Sequence, residues 1–161
     1  MPDRRRTTGS FEAAKTTGSE EALNRLFVYG SLRSGQTARS LIANSVARST
    51  PATMAGNLYM FPMGYPAFVE GNGRVVGELL WLDDLAATLA MLDAYEGADF
   101  VRLVRQVTLP SGIGSDGFPH HRAEGLQVWA WVYSLAVPDT VAYAEQIPDG
   151  DWVRHWKEHL G

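Results

Sequence analysis

The feature that most constrains the fold of this chain is its number of short segments with the residue pattern of β-strands. Between residues 26 and 135, apolar or alternating runs are separated by segments rich in glycine and proline. The segments with helical spacing are fewer and do not alternate regularly with these runs. We therefore expect an α+β fold, in which a mixed β-sheet is curled into a small barrel with flanking helices. The predicted strands are 26–29, 52–61, 67–69, 75–82, 101–109 and 126–135, and the predicted helices are 37–44, 85–96 and 151–159.

The chain of 161 residues is expected to form a single domain over residues 24–161, because it is long enough and apolar enough to bury a real core. Residues 1–23 are polar, rich in Thr, Gly and Ser, and without periodicity, so we expect a mobile tail there. That segment lacks the apolar central run of a signal peptide, and no stretch is long and apolar enough to span a bilayer. We expect a cytoplasmic protein with no membrane partner.

Charge and composition exclude several classes of function. The net charge of −4 leaves no basic stripe to neutralise phosphates, so we expect no nucleic-acid partner. The absence of cysteine removes disulfides, thiolate metal sites and a cysteine nucleophile. His120 and His121 are neighbours in a polar segment without a third ligand in register, which favours solvated histidines over a metal site. No G-x-S-x-G elbow exists to anchor a serine-hydrolase triad.

An acid stands at the end of an apolar helix face. Leu85, Leu89, Leu92 and Glu96 follow at spacings of four, three and four, which places all four on one side of a helix that Gly97 should end. An apolar environment and the negative end of the helix dipole both favour the protonated carboxyl and raise its pKa toward neutrality. A general acid/base needs such a pKa. The alternative, an outward-facing and solvated glutamate, is about equally compatible with this pattern alone.

The first predicted strand ends at a glycine-rich segment. Residues 30–37 fit the P-loop template G-x-x-x-x-G-K-[ST] except at Gln36, where the phosphate-binding lysine is missing. That substitution removes the main electrostatic contact with a nucleotide. A turn of this kind can still direct successive backbone N–H groups into a common space, where they bind carboxylates or oxyanions.

Several segments, taken together and in order, resemble the γ-glutamylcyclotransferase-like family. The segment YGSLRSGQ after LFV is similar to the signature loop of that family, and LDAYEG is similar to the helix end that bears its catalytic glutamate. The resemblance covers about residues 25–155 and continues through five further segments, which are GNLY, GYPA, VGEL, AWVY and IPDGDW.

The resemblance implies a barrel with a pocket between the signature loop and the glutamate. It implies release of 5-oxoproline from a γ-glutamyl amine or γ-glutamyl amino acid, with Glu96 as general acid/base and without cofactor or metal. The N–H groups of the turn Tyr29, Gly30, Ser31 and Leu32 would hold anionic oxygens of the substrate, either at the α-carboxylate or at the developing oxyanion. Tyr133 is a candidate hydroxyl donor to the substrate or to Glu96, or else a tyrosine packed in the sheet.

Other readings stay open at this point. Phe100 stands where the family commonly has tyrosine, which implies a different substrate or weak activity. A second hypothesis is a binding module that holds a small carboxylate ligand without catalysis, and a third is Mg²⁺-dependent nucleotide hydrolysis by the degenerate P-loop. The segment 110–125 and the residues after Gly97 are expected to shape the leaving-amine side of the pocket. The sequence does not define the leaving amine or the oligomeric state.

Overall fold

A computed structural model describes residues 22–159 of the chain. Its strands are β1 (Arg25–Val28), β2 (Val46–Met60), β3 (Pro66–Leu82), β4 (Phe100–Thr108), β5 (Gln127–Leu135) and β6 (Glu145–Gln146). Its α-helices are α1 (Leu85–Glu96) and α2 (Trp152–His159), and 3₁₀-turns occur at Arg39–Leu41, Ala43–Ser45 and Pro138–Tyr143.

The sheet closes into a barrel, as predicted. Its strand order is β3-β1-β5-β4-β2, the pairing of β2 with β3 completes the circle, and β6 adds to the outer edge of β2. The sheet is mixed because β1 runs parallel to β5 and antiparallel to β3. Closure leaves β1 in the middle of the sheet, so the loop that follows it emerges at one rim of the barrel.

Two apolar clusters cover the two faces of the short strand β1. Phe27 points into the barrel and packs with Leu79 and Trp81, whereas Leu26 and Val28 lie on the opposite face with Leu89 and Leu92 of α1. Neighbouring residues of a strand face opposite sides, so a strand buried on both faces reads as a continuous apolar run. Helix α1 therefore lies against the outer face of the barrel at β1.

One long hairpin replaces two predicted strands and a loop. The predicted strands 67–69 and 75–82 are both part of the 17-residue strand β3, and the predicted loop at Gly71-Asn72-Gly73 is wrong. A Cβ atom at Gly71 or Gly73 would approach the side chain of Asn57 to 2.2 or 2.5 Å, and Gly73 N–H donates to Asn57 Oδ1 at 3.0 Å. The glycines make room for a polar side chain inside a continuous ladder. The ladder of β2 and β3 is irregular at Gly56, where the register shifts between Ala55 and Asn57.

The predicted helix 37–44 is also wrong in type. The segment forms two 3₁₀-turns, with Leu41 N–H bonded to Ala38 C=O and Ile42 N–H bonded to Arg39 C=O. The backbone at Ile42 (φ −121°, ψ 1°) interrupts the helical path. Ala38 and Ile42 are buried in the cluster beneath α1, which anchors the segment without a regular helix.

The other predicted elements are confirmed within one residue at each end, except that β2 begins at Val46, six residues before the predicted start. The short strand β6 was not predicted. The C-terminal helix begins at Trp152, and α1 begins and ends as predicted. None of the helices within residues 22–159 is long and apolar enough to cross a membrane. The predicted mobile tail, residues 1–23, lies outside the described residues except for its last two, of which Ala22 is buried. The tail stays a prediction.

Candidate active site

Helix α1 brings Glu96 to the rim of the barrel. Asp84 caps its first turn by accepting a hydrogen bond from Ala87 N–H at 3.3 Å, and Leu89 and Leu92 fix the apolar face against β1. Gly97 ends the helix with φ +77°, a conformation that glycine adopts without strain. The 4-3-4 spacing thus places the carboxyl of Glu96 as the sequence predicts.

The carboxyl of Glu96 is partly buried, and no hydrogen bond or ion pair among residues 22–159 involves it. Burial raises the pKa of Glu96 from 4.5 to about 7. Removing water from a carboxylate without supplying a donor in its place favours the neutral acid. The protonated and ionised forms are therefore both populated near neutral pH.

The loop after β1 leaves backbone donors free. Gly30 C=O accepts from Arg33 N–H at 3.0 Å and Ser31 C=O accepts from Ala38 N–H at 2.9 Å, which directs the carbonyls into the loop itself. The N–H groups of Gly30, Ser31 and Leu32 have no acceptor within the described part of the chain. Buried or half-buried backbone N–H groups are nearly always paired in proteins. A run of three unpaired donors at a cavity can bind an anion.

A cavity of about 370 Å³ lies between this loop and Glu96. Its volume is in the range of small-molecule sites. The cavity brings together every residue that the sequence assigned to the site, and their roles in chemistry stay predictions. Its lining comprises Phe27, Val28, Tyr29, Gly30, Ser31, Leu32, Met63, Tyr65, Pro66, Tyr95, Glu96, Asp99, Phe100 and Tyr133.

The side chain of Tyr29 supports the wall of the cavity. Its hydroxyl donates to Tyr133 C=O at 2.7 Å and accepts from Phe68 N–H at 3.2 Å. Burial raises the pKa of Tyr29 well above its usual range, so the phenol stays neutral. Because both hydrogen bonds are internal, the hydroxyl ties β1 to β3 and β5. A contribution of Tyr29 to ligand binding would come from its ring or its backbone.

Tyr133 reaches Asp93 and not Glu96. The Tyr133 hydroxyl donates to Asp93 Oδ1 at 2.6 Å and not to Glu96. A hydrogen bond from Tyr133 to the substrate stays a prediction. Arg102 donates to both oxygens of Asp93, at 2.9 and 3.0 Å, and lies over the ring of Trp131. The hydrogen bonds from Arg102 lower the pKa of Asp93 and keep it ionised. Asp93 lies three residues before Glu96, so this network fixes the end of α1 to β4 and β5.

Glu78 and Asp151 hold the loop after β1 through contacts that the sequence did not predict; we call these contacts the clamp. Glu78 of β3 accepts from Ser34 N–H at 3.0 and 3.1 Å and from Arg39 Nη1 at 2.9 Å, with its side chain only 14% exposed. Arg33 in the same loop pairs with Asp151 at 2.9 Å. The available signal was an acid within the otherwise apolar run 75–82 of β3, since a buried carboxylate requires partners.

Aromatic and proline residues close the cavity on the remaining side. Tyr65 contacts Phe100 edge-on at a centroid distance of 6.2 Å, and both line the cavity. A Cβ atom at Gly30 would lie 2.6 Å from Pro66 Cγ, so only glycine allows this approach of the two loops. Ser31 Oγ and Tyr95 Oη lie 3.3 Å apart and join the loop to the end of α1.

The segment 110–125 does not line the cavity, contrary to expectation. It packs against Trp81, whose Nε1–H donates to Ser115 C=O at 3.1 Å, and Arg48 donates to Asp116 C=O at 2.7 Å. The residues after Gly97 do line it, through Asp99 and Phe100. Within residues 22–159, no group of three or more His, Asp or Glu side chains could hold a metal ion.

Fold and cavity together define a known class of protein. The family described as gamma-glutamyl cyclotransferase, AIG2-like, matches residues 26–154. The chain belongs to this family. The match spans both walls of the cavity, from β1 through α1 to the beginning of α2.

Individual relatives agree with this assignment. The chain is 32% identical over 132 residues to the gamma-glutamylcyclotransferase family protein YtfP of Escherichia coli K12, covering 80% of this chain and 96% of that protein. It is 35% identical over 71 residues, 44% of each chain, to the gamma-L-glutamyl-butirosin B gamma-glutamyl cyclotransferase of Niallia circulans. The crystal structure of YkqA from Bacillus subtilis has the same fold, with a TM-score of 0.60 and 22% identity, over 84% of this chain and 41% of that one.

Proposed function

We propose that the protein releases 5-oxoproline from a γ-glutamyl amine or γ-glutamyl amino acid, with Glu96 as general acid/base. The observation that carries this proposal is the position of a desolvated carboxyl, with a pKa of about 7, across a cavity from three unpaired backbone N–H groups. Membership of the family and the activity named for the Niallia circulans relative support the same reaction class.

The reaction removes two protons from the α-nitrogen of the substrate, because the α-ammonium carries three protons and the lactam nitrogen of 5-oxoproline keeps one. The α-ammonium of the γ-glutamyl group cannot attack, so ionised Glu96 first accepts one of its protons. The α-nitrogen then forms a bond to the γ-carbonyl carbon and closes a five-membered ring. Protonated Glu96 gives this proton to the departing nitrogen as the amide bond breaks, and the regenerated carboxylate accepts the second proton from the ring nitrogen and passes it to the released amine or to solvent. The nucleophile is intramolecular, so the ring closure needs neither cofactor nor metal.

The loop after β1 supplies the positive end of the site. No arginine, lysine or histidine among residues 22–159 lines the cavity, so an anionic oxygen of the substrate would find its donors in the N–H groups of Gly30, Ser31 and Leu32. Hydrogen bonds from backbone amides to an anion are strong because one partner is charged. They would hold the α-carboxylate or the developing oxyanion while Glu96 contacts the amine.

Phe100 bears on the choice of substrate. Its ring lines the cavity beside Tyr65 and offers no hydroxyl at this position. Apolar contact replaces a hydrogen bond to the substrate there, which favours leaving amines with methylene or aromatic groups near the amide.

The test is release of 5-oxoproline from a panel of γ-glutamyl amines, γ-glutamyl amino acids and glutathione. We expect turnover of at least one substrate, reduced about 10²- to 10⁴-fold or more in Glu96→Gln. Glu124→Gln is the matched control, because Glu124 is exposed and does not line the cavity. It should retain full activity.

Binding separates the enzyme from a binding module of the same fold. In an enzyme, Glu96→Gln binds the best substrate and leaves it intact. If the folded wild-type protein binds a panel member without releasing 5-oxoproline, the binding-module hypothesis replaces this proposal.

A further inference from the structure

A second, smaller cavity continues from the first. It has a volume of about 160 Å³ and shares Tyr65 and Asp99 with the larger cavity. None of the loop residues that follow β1 lines it. Its other lining residues are Phe61, Ala98, Leu135, Ala136, Val137 and Thr140. The second cavity therefore lies on the side away from the loop. If the loop holds the γ-glutamyl group, as proposed above, this is the side left for the amine.

Asp99 gives this region a negative charge that nothing nearby neutralises. Glu96 and Asp99 are the charged residues that line the two cavities, and no cationic side chain among residues 22–159 lines either one. The Asp99 side chain has no hydrogen bond or ion pair within the described chain, and its position is fixed because its C=O accepts from Ala136 N–H at 2.8 Å. The nearby Arg102 is already paired with Asp93.

Aromatic rings connect the two cavities. Phe61 and Tyr65 stack at a centroid distance of 5.1 Å, and Tyr65 meets Phe100 edge-on. Ring faces attract cations and pack against methylene groups. A chain of methylenes that ends in a cation matches this path better than a carboxylate, which would meet Asp99.

Resting on the proposed function, we infer that Asp99 and the second cavity form the subsite for the leaving amine and select amines that carry a second positive charge. An alkyl diamine or an amine with a basic side chain fits this description. An amine with a free carboxylate is disfavoured, because like charges would face each other at Asp99.

The test uses three γ-glutamyl substrates whose leaving amines differ in one terminal group. These amines are 1,5-diaminopentane, n-hexylamine and 6-aminohexanoate, which present an ammonium, a methyl and a carboxylate on the same five-methylene chain. Because Asp99 is exposed, we expect kcat/KM for the ammonium substrate to exceed that for the methyl substrate by about two- to fivefold, the size of an exposed ion pair. The carboxylate substrate should be the poorest.

Variants at Asp99 assign the preference. In Asp99→Asn the ratio of kcat/KM between the ammonium and methyl substrates should fall to about one, and in Asp99→Lys the carboxylate substrate should be preferred over the ammonium substrate. Asp83→Asn removes the same charge at an exposed position outside both cavities and should keep the wild-type ratio.

The outcomes separate this inference from the proposed function. Turnover of all three substrates at equal kcat/KM, or a charge preference that survives in Asp99→Asn, overturns the subsite and leaves the cyclotransferase intact. No release of 5-oxoproline from these substrates or from the wider panel overturns both.

Discussion

The segment 110–125 and the loop after β1 both contain glycines, but they differ in whether their backbone N–H groups are paired within the protein or free to bind a ligand. In the segment 110–125, the N–H groups of Gly112, Gly114, Gly117 and His120 all bond to carbonyls of the same segment. In the loop after β1, three consecutive N–H groups at the wall of a cavity have no acceptor among residues 22–159. Glycine content alone does not distinguish the two.

The difference lies in where each loop finds its partners. The segment 110–125 pairs these four N–H groups internally, and the side chains of Trp81 and Arg48 donate to two of its carbonyls, so these four N–H groups are not available to a ligand. The loop after β1 is anchored by Glu78 and Asp151, which bind Ser34 and Arg33 and do not line the cavity. Its three unpaired N–H groups remain accessible from the cavity. A loop that is anchored through side chains can leave its backbone donors available to a ligand without losing its shape.

The largest effect is expected at Glu96, which lies across the cavity from the loop after β1. We call this loop the open loop and the segment 110–125 the closed loop. Glu96→Asp keeps the charge but withdraws the carboxylate by about one methylene from the substrate amine. Misplacement by about 1 Å can cost about 10²-fold in rate, so kcat should fall by that order. Steady-state release of 5-oxoproline measures it. A rate within threefold of wild type would mean that the position of this carboxyl does not govern proton transfer.

A matched pair of glycine substitutions sharpens the comparison of the loops. Gly30→Ala places a Cβ atom 2.6 Å from Pro66 Cγ and forces the open loop to move, so kcat/KM should fall about tenfold or more. Gly114→Ala is the control, because its Cβ atom would meet Asp116 Oδ1 at 3.3 Å within the closed loop. Its kinetics should match wild type. Equal losses in both variants would contradict the distinction.

Removing the clamp behind the open loop should have a smaller effect. Glu78→Gln removes the negative charge that Arg39 and the backbone of Ser34 contact, which loosens the free N–H groups. We expect KM to rise several-fold while kcat changes less, since the loop binds and Glu96 transfers the proton. Glu70→Gln is the matched control, because Glu70 is an exposed acid of the same strand that pairs with Arg105. An effect on kcat alone would assign Glu78 a different role.

The smallest kinetic effect is expected in the closed loop. Asp116→Ala removes the acceptor of Phe118 N–H, a bond of 3.0 Å. The free energy of unfolding should fall by about 1 kcal/mol, the usual net value of such a bond. Urea unfolding measures this loss, and kcat and KM should stay at wild-type values. A kinetic defect in a folded Asp116→Ala would show that the segment 110–125 acts on the cavity.

The sequence reveals the parts of the site that local spacing encodes. The 4-3-4 pattern placed Glu96, and a strand ending at Gly30 placed the open loop, because both signals lie within a dozen residues. Glu78 and Ser34 are 44 residues apart, and only the pairing of β1 with β3 brings them together. No local pattern encodes that contact.

The errors have the same physical origin. Gly71 and Gly73 indicate a turn locally, but the side chain of Asn57 in the opposite strand explains them as part of a ladder. The segment 110–125 has the composition of an active-site loop, and only the closed barrel shows that it packs on Trp81, away from the cavity. Closure of a barrel is a long-range property, so the sequence could assign the residues after Gly97 to the leaving-amine side but could not reveal the second cavity that Asp99 lines.

The most direct test of Glu96 as the base is the pH dependence of kcat/KM for the best γ-glutamyl substrate. Glu96 acts in its ionised form, and burial raises its pKa to about 7. As the pH falls below 7, the ionised fraction decreases, so kcat/KM should drop about tenfold per pH unit. A profile that stays flat down to pH 5, with its acid limb near 4.5, would contradict the account.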